Sequence, residues 1–227
     1  MPSVLISGAG RGLGLEFVRQ YAAAGWQVFA TVRDRSRATE LERMGSSVVV
    51  HTVDVNDHEA VKALAHDLRL QPIDVVIANA GVSGPRGMTI EAVDGASWLE
   101  TMAVNTIAPV VLAGCFMKHL EKGTQKKLIA ISSRLGSIAA NQTGKLYVYR
   151  SSKAALNAAW KSIALDYAAS GISAAVFHPG WVRTDMGGPG ADIDVETSVG
   201  GMRAVIETLS PENSGKFFNY DGAELPW

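Results

Sequence analysis

The chain has 227 residues, 47% of them hydrophobic and 19% charged, with a net charge of −1. That length suits one α/β domain over residues 1–227 better than two small ones, and the near-zero charge gives no footing for nucleic acid or an acidic membrane surface. A lone Cys115 excludes an intramolecular disulfide framework and a cysteine-rich zinc site, and fits a reducing compartment.

Among Val110, Val111, Leu112 and Phe116, that cysteine reads as a small buried apolar residue. Met1-Pro2 runs straight into a strand-like segment without a basic leader, and no apolar run approaches the length of a membrane span. The expectation is a soluble, cytoplasmic protein.

Ser3 to Ser7 reads as a buried strand, followed by the turn Ser7-Gly8-Ala9-Gly10-Arg11-Gly12-Leu13-Gly14. Leu15, Phe17, Val18, Tyr21 and Ala22 then recur at helical spacing until Gly25, and a second strand spans Gln27 to Val32. This is a βαβ unit. A short helix near Leu41 and Met44 precedes a strand from Val48 to Val53, ending at Asp54-Val55. Val61, Leu64, Ala65 and Leu68 mark a helix, and Ile73 to Ala78 a buried strand closing at Asn79-Ala80-Gly81. A long helix from about Ser97 to Leu120 leads to a strand from Leu128 to Ile131, and a helix beginning near Tyr149 runs to about Ala169. A strand from Ser173 to Phe177, a loop from His178 to Asp194, a helix from Val195 to Leu209 and a strand from Lys216 to Asn219 complete the chain. Unbroken apolar strands alternating with helices predict an α/β fold: a doubly wound, Rossmann-like parallel sheet of about seven strands with helices on both faces. Ligands bind at the carboxyl ends of such strands, where Asp54, Asn79, Ser132-Ser133 and His178-Pro179-Gly180 fall.

Four glycines between Gly8 and Gly14 at the first strand-to-helix turn let backbone N–H groups approach a pyrophosphate. A 2′-hydroxyl is typically held by a carboxylate at the end of the second strand, and a 2′-phosphate needs a cation. Here that strand ends Val32-Arg33, and Arg11 lies inside the glycine turn. Two guanidiniums can converge on one phosphate, which favours NADP(H) over NAD(H). Asp34, one position past Arg33, is the residue that argues the other way. Arg35 and Arg37 read as a solvated charge run.

Tyr149 and Lys153 stand four residues apart and share one helix face, roughly 6 Å apart along its axis. A nearby ammonium favours a phenolate and eases proton transfer. The five histidines, His51, His58, His66, His119 and His178, show no metal-ligand spacing, so no metal site is expected. His178 reads as a loop-fixing residue.

These pieces resemble the short-chain dehydrogenase/reductase family over nearly the whole chain. Its T-G-x-x-x-G-x-G turn is matched with Ser7 in place of threonine, its N-A-G by Asn79-Ala80-Gly81, and its helix asparagine by Asn105. Its serine is matched by Ser133, its tyrosine and lysine by Tyr149 and Lys153, and its nicotinamide-side loop by Pro179, Gly180, Val182 and Thr184. The stretches 147–157 and 178–188, with Leu225-Pro226-Trp227, are further similar to the C-factor/sniffer-like carbonyl reductases within the family.

The resemblance implies a reductase of a small or apolar carbonyl compound, reversible as an alcohol dehydrogenase. Ser133 would donate a hydrogen bond to the substrate oxygen and Tyr149 would pass it a proton. Lys153 would bind the nicotinamide ribose and favour the phenolate, and Asn105 would hold a water on the proton path. Ser132 and Ser137 remain alternatives to Ser133, because the gap to Tyr149 is longer than the family's. Tyr147 has Ser151, not lysine, four residues on, and reads as a packing residue. Met88, Leu135, Trp181 and Met186 fall on loops near the substrate. The small-residue face Ala154, Ala155, Ala158 and Ala159 corresponds to a helix that joins subunits in the family, which implies a homodimer or homotetramer. The rival reading is a non-catalytic NADP(H)-binding sensor on the same fold. An epimerase or dehydratase is a third, disfavoured by the short tail after Thr184.

Overall fold

The computed structural model covers residues 1–227. Seven strands, β1 (Ser3–Ile6), β2 (Gln27–Val32), β3 (Val48–Thr52), β4 (Val75–Ala78), β5 (Lys127–Ile131), β6 (Ser173–His178) and β7 (Lys216–Asn219), form one sheet. Every pairing is parallel, in the order β3-β2-β1-β4-β5-β6-β7. The chain winds outward from β1 in one direction, then returns and winds the other way from β4, so β1 and β4 flank the switch point where such sheets bind ligands.

Alternation along each strand sends side chains to two separate cores. Val4, Ile6, Val28, Ala30, Val75 and Ile77 pack with Phe17, Val18 and Tyr21 of α1 (Gly12–Ala23) and Val199, Met202 and Ile206 of α7 (Val195–Thr208). Leu5, Phe29, Val76 and Ala78 face the other way, onto α3 (His58–Asp67) and α6 (Tyr147–Asp166). Each cluster holds 23 buried residues, so neither face is left for solvent and the strands need no polar alternation. The remaining short helix is α2 (Thr39–Glu42).

The long central helix departs from expectation. It starts at Asp94, whose carboxylate accepts from the amides of Ala96 and Ser97, and runs as α4 (Gly95–Met102) and α5 (Ala108–Lys122). Between them Ala103–Ile107 forms a π turn that contains Asn105. A π turn inserts one extra residue into the helical ladder and frequently marks a functional position. Joined, Gly95–Lys122 is 28 residues long, and an 18-residue window of mean hydropathy 1.5 makes it long and apolar enough to cross a membrane, contrary to the expectation that nothing approached that length. Leu112, Phe116, Met117 and Leu120 use that apolarity against the sheet.

Two boundaries also shift. Helix α6 begins at Tyr147 rather than Tyr149, entered through Lys145 and Leu146, both at positive φ. His178 is the last residue of β6, paired with Asn219, and not the first residue of the following loop.

Candidate active site

At the carboxyl ends of β1 and β4 lies a cavity of about 870 Å³. The glycine turn forms its floor, with Gly8, Arg11, Gly12, Leu13 and Gly14 on the wall. Gly14 is required by close approach, since a Cβ there would stand 2.6 Å from the Asn79 amide nitrogen. Arg11 occupies the N-cap of α1 in an extended conformation without a side-chain capping bond, and the first turn has no acidic residue. Uncapped N–H groups at the positive end of a twelve-residue helix suit a pyrophosphate. The donor set fits a dinucleotide.

Asp54, Val55, Asn79, Ala80, Gly81, Pro179 and Thr184 line the same cavity. Ser7, Gly180 and Val182, expected among the cofactor contacts, do not. The buried Ser7 hydroxyl accepts from the amides of Asn79 (3.1 Å) and Ala80 (3.3 Å), and the Asn79 side chain donates back to the Ser7 and Gly8 carbonyls. Ser7 thus shapes the exit of β4. Val182 is buried and bridges Ile193, and Gly180 packs closely against Ile193 and Tyr220. They frame the loop after β6.

Arg33 and Asp34 stand at the end of β2, on the cavity wall. The Asp34 carboxylate accepts from the Ser36 amide and caps the 3₁₀ turn Arg35–Arg37, and the Ser36 hydrogen bonds hold it below the usual carboxylate range. Arg35 pairs with Glu42, as a surface charge does. Arg37 is exposed, as a solvated charge would be, and it also lines the cavity beside Gly10 and Arg33, a position not expected from the sequence. The Asp34 cap folds the turn back onto the glycine loop, and that tertiary contact is invisible in residue spacing. Arg11 reaches across the mouth to Asp185, 2.5 Å away.

At the other end of the cavity Ser132, Tyr149 and Lys153 line the wall, with Ser133 next in the chain and close enough to act on the Tyr149 phenol. Lys153 is buried, donates to the Ile131 carbonyl at 2.9 Å, and its Nζ lies 6.0 Å from the Tyr149 ring centroid. Burial pulls its pKa down to about 8. Tyr149 is pushed up by burial, against the lowering effects of a Ser133 hydrogen bond and the Arg86 charge, so its phenol holds its proton at neutral pH. The turn 134–136 packs directly on α6, because Gly136 presents no Cβ; one there would lie 2.8 Å from the Lys153 backbone.

The alternative serines are engaged elsewhere. Ser132 donates to Asn157 Oδ1 at 2.5 Å, and Ser137 donates to the Trp227 carbonyl at 3.2 Å while accepting from the Ala140 amide. The Ser133 hydroxyl accepts from the Leu135 amide at 3.2 Å and is the serine whose polarity acts on the Tyr149 phenol, lowering its pKa against the effect of burial.

Asn105 is fully buried behind Gly81. Its Oδ1 accepts from the Val82 amide (2.8 Å), and its Nδ2 donates to the Val82 carbonyl (2.9 Å) and to Ser152 Oγ (3.0 Å). Ser152 itself donates to the Tyr149 carbonyl at 2.9 Å. The π turn, the loop after β4 and the tyrosine helix are therefore joined through one side chain. Ser152, missed in the sequence, carries no signal there beyond its place in Ser151-Ser152-Lys153.

The family described as short chain dehydrogenase matches residues 2–192. The chain belongs to the short-chain dehydrogenase/reductase family. It is an oxidoreductase. C-signal of Myxococcus xanthus is 42% identical over 167 residues, 74% of this short-chain dehydrogenase and 100% of that protein. Two solved structures share the fold from end to end. Carbonyl reductase Sniffer of D. melanogaster superposes with a TM-score of 0.93 at 38% identity, covering 100% of both chains. The NADPH-bound carbonyl reductase from chicken fatty liver gives 0.92 at 37% identity, covering 100% of this chain and 99% of that one.

Proposed function

We propose that the protein is an NADPH-dependent reductase of small or apolar carbonyl compounds, with residues 1–227 forming one catalytic domain. The observation that carries this reading is the pairing of the protonated Tyr149 phenol with the Lys153 ammonium, 6.0 Å from its ring centroid, on the wall of a cleft that fits a dinucleotide, with the Ser133 hydroxyl acting on the phenol. When bound, the nicotinamide supplies the hydride. Ser133 donates a hydrogen bond to the substrate oxygen and stabilises the charge that develops there. Tyr149 transfers its proton to that oxygen. Lys153 holds the ribose and stabilises the phenolate left behind. Asn105 positions Val82 and Ser152, and through them the wall opposite the phenol. The water path expected of Asn105 would run past a side chain already holding three hydrogen bonds.

Arg33 and Arg37, on the cavity wall at and just past the end of β2, support NADPH over NADH, since two guanidiniums suit a 2′-phosphate and the Asp34 carboxylate is engaged as a cap, while Arg11 is paired with Asp185. The likeness to an NADPH-bound carbonyl reductase supports the same choice. The test is binding of NADPH and NADH followed by oxidation of each with aldehydes, ketones and quinones. Tighter NADPH binding with turnover supports the reading, and a preference for NADH contradicts the arginine assignment.

The likeness to C-signal favours a second reading, a nucleotide-binding sensor without turnover. Substituting Tyr149 by Phe separates the two: a reductase loses turnover and a sensor keeps its output. Ala154, Ala155 and Ala159 are half-buried and Ala158 exposed on α6, a flat face that supports a homodimer or homotetramer. A cytoplasmic location accords with the single, half-buried cysteine.

A further inference from the structure

The loops after β4 and β6 border the reacting end of the cleft, where Val82, Pro179 and Met186 present apolar side chains beside the polar Arg183, Thr184 and Asp185. Trp181, Met186, Tyr147 and Ile138 are exposed large hydrophobic residues on or beside these loops and the loop after β5. Most of the charges there are already engaged. Arg150 donates to the Gly144 and Leu135 carbonyls and to Thr143 Oγ1, Arg183 faces Asp194 at 3.6 Å, and Arg11 faces Asp185.

Arg86 is different. It is exposed and forms no ion pair. Its Nη2 donates to the Met186 carbonyl at 2.7 Å, which fixes the guanidinium between the loop after β4 and the loop after β6. Met186 and Tyr149 both line the cleft. A guanidinium has five N–H donors, so one bond to a carbonyl leaves four for a ligand. Its charge also acts on the Tyr149 phenol, which sets it within Coulombic reach of the reacting end of the cleft.

We propose that Arg86 is a specificity-determining residue that binds a carboxylate carried by the carbonyl substrate, so that the preferred substrates are apolar oxo acids rather than neutral carbonyl compounds. The inference rests on the reductase reading above. The apolar side chains take the body of the substrate, Ser133 and Tyr149 take the carbonyl, and the fork of Arg86 takes the carboxylate in the planar geometry that suits a guanidinium. Holding the far end of the substrate fixes its carbonyl against the phenol, so the effect falls on kcat/KM.

The test uses the full chain with NADPH and two aldehydes of similar size, 4-carboxybenzaldehyde and methyl 4-formylbenzoate. The expected result is a preference for the acid of about three- to tenfold in kcat/KM, reduced to near unity by Arg86→Gln and partly kept by Arg86→Lys. The ratio cancels any effect of the substitution on the phenol, which both aldehydes share. The preference should also shrink as salt is raised. A ratio unchanged by Arg86→Gln overturns the proposal, as does a loss confined to the KM for NADPH, which would assign Arg86 to the cofactor. If neither aldehyde is reduced, the reductase reading fails and binding decides the Arg86 assignment. Titration of 4-carboxybenzaldehyde into the NADP⁺-loaded protein, followed by tryptophan fluorescence, then supports the assignment if Arg86→Gln weakens binding and overturns it if binding is equal.

Discussion

The ammonium of Lys153 donates to the carbonyl of Ile131 at 2.9 Å, and this one bond ties the tyrosine helix to the end of the strand that delivers Ser133. Ile131 is followed directly by Ser132-Ser133, so the lysine that holds the charge beside the phenol also sets the distance between serine and tyrosine.

A pH dependence follows from that burial. The charged form of Lys153 exists below its pKa, which burial has lowered to about 8. Carbonyl reduction is therefore expected to fall as pH rises through about 8 in a kcat/KM profile, and Lys153→Arg should move the fall to higher pH. A flat profile to pH 10 would show that the ammonium is not needed.

Packing of the serine turn on α6 depends on Gly136. A Cβ there meets the Lys153 backbone at 2.8 Å, which cannot rotate away. Gly136→Ala is expected to cost about 1–3 kcal/mol of stability and to lower kcat at least tenfold by pushing Ser133 from Tyr149. Thermal melts and steady-state kinetics on the same preparation check both.

His178 gives a stability signature. Its burial lowers the pKa to about 4, and its Nδ1 has no hydrogen-bond partner. Between pH 6.5 and about 4 the unfolded chain binds a proton that the folded one does not, so stability falls as pH drops through that window. The contribution is about 1–3 kcal/mol, and His178→Gln should flatten the slope of unfolding free energy against pH.

Asp74 works in the opposite sense to its burial, which alone would raise its pKa. Hydrogen bonds from the Thr124 hydroxyl and from the amides of Ser3, Thr124 and Gln125 outweigh that and hold the carboxyl low. Its stabilisation is present above the unfolded pKa and is lost as pH falls through the lower, folded one. Asp74→Ala should cost about 2–4 kcal/mol in chemical denaturation at pH 7, because it orphans several buried donors.

How far the molecule could be read in advance varies with the kind of cause. The strands were legible because both faces of the sheet are buried, so Val4-Leu5-Ile6 and Val75-Val76-Ile77 are continuous apolar runs. Tyr149 and Lys153 were legible as a pair because their helix spacing is a local fact, whereas strand-end placement fits Ser132 as well as Ser133 and only the family resemblance chose between them. Arg37 was not, since only the turn capped by Asp34 carries it to the cleft. The π turn at Asn105 was not, because helical periodicity is the same on either side of one inserted residue. Ser7, a hydroxyl in a phosphate-binding pattern, proved to face Asn79 and Ala80. Spacing identifies a residue type near a site; it does not say which neighbour satisfies it.

The central claim is that Tyr149 gives its proton to a carbonyl oxygen. It is tested most directly by NADPH oxidation with a carbonyl panel, run on the wild-type protein and on Tyr149→Phe. The account predicts turnover by the wild type, and for Tyr149→Phe a kcat lower by at least about 100-fold with NADPH binding retained. Equal turnover by the two proteins, or NADPH binding without turnover of any carbonyl by the wild type, would contradict it.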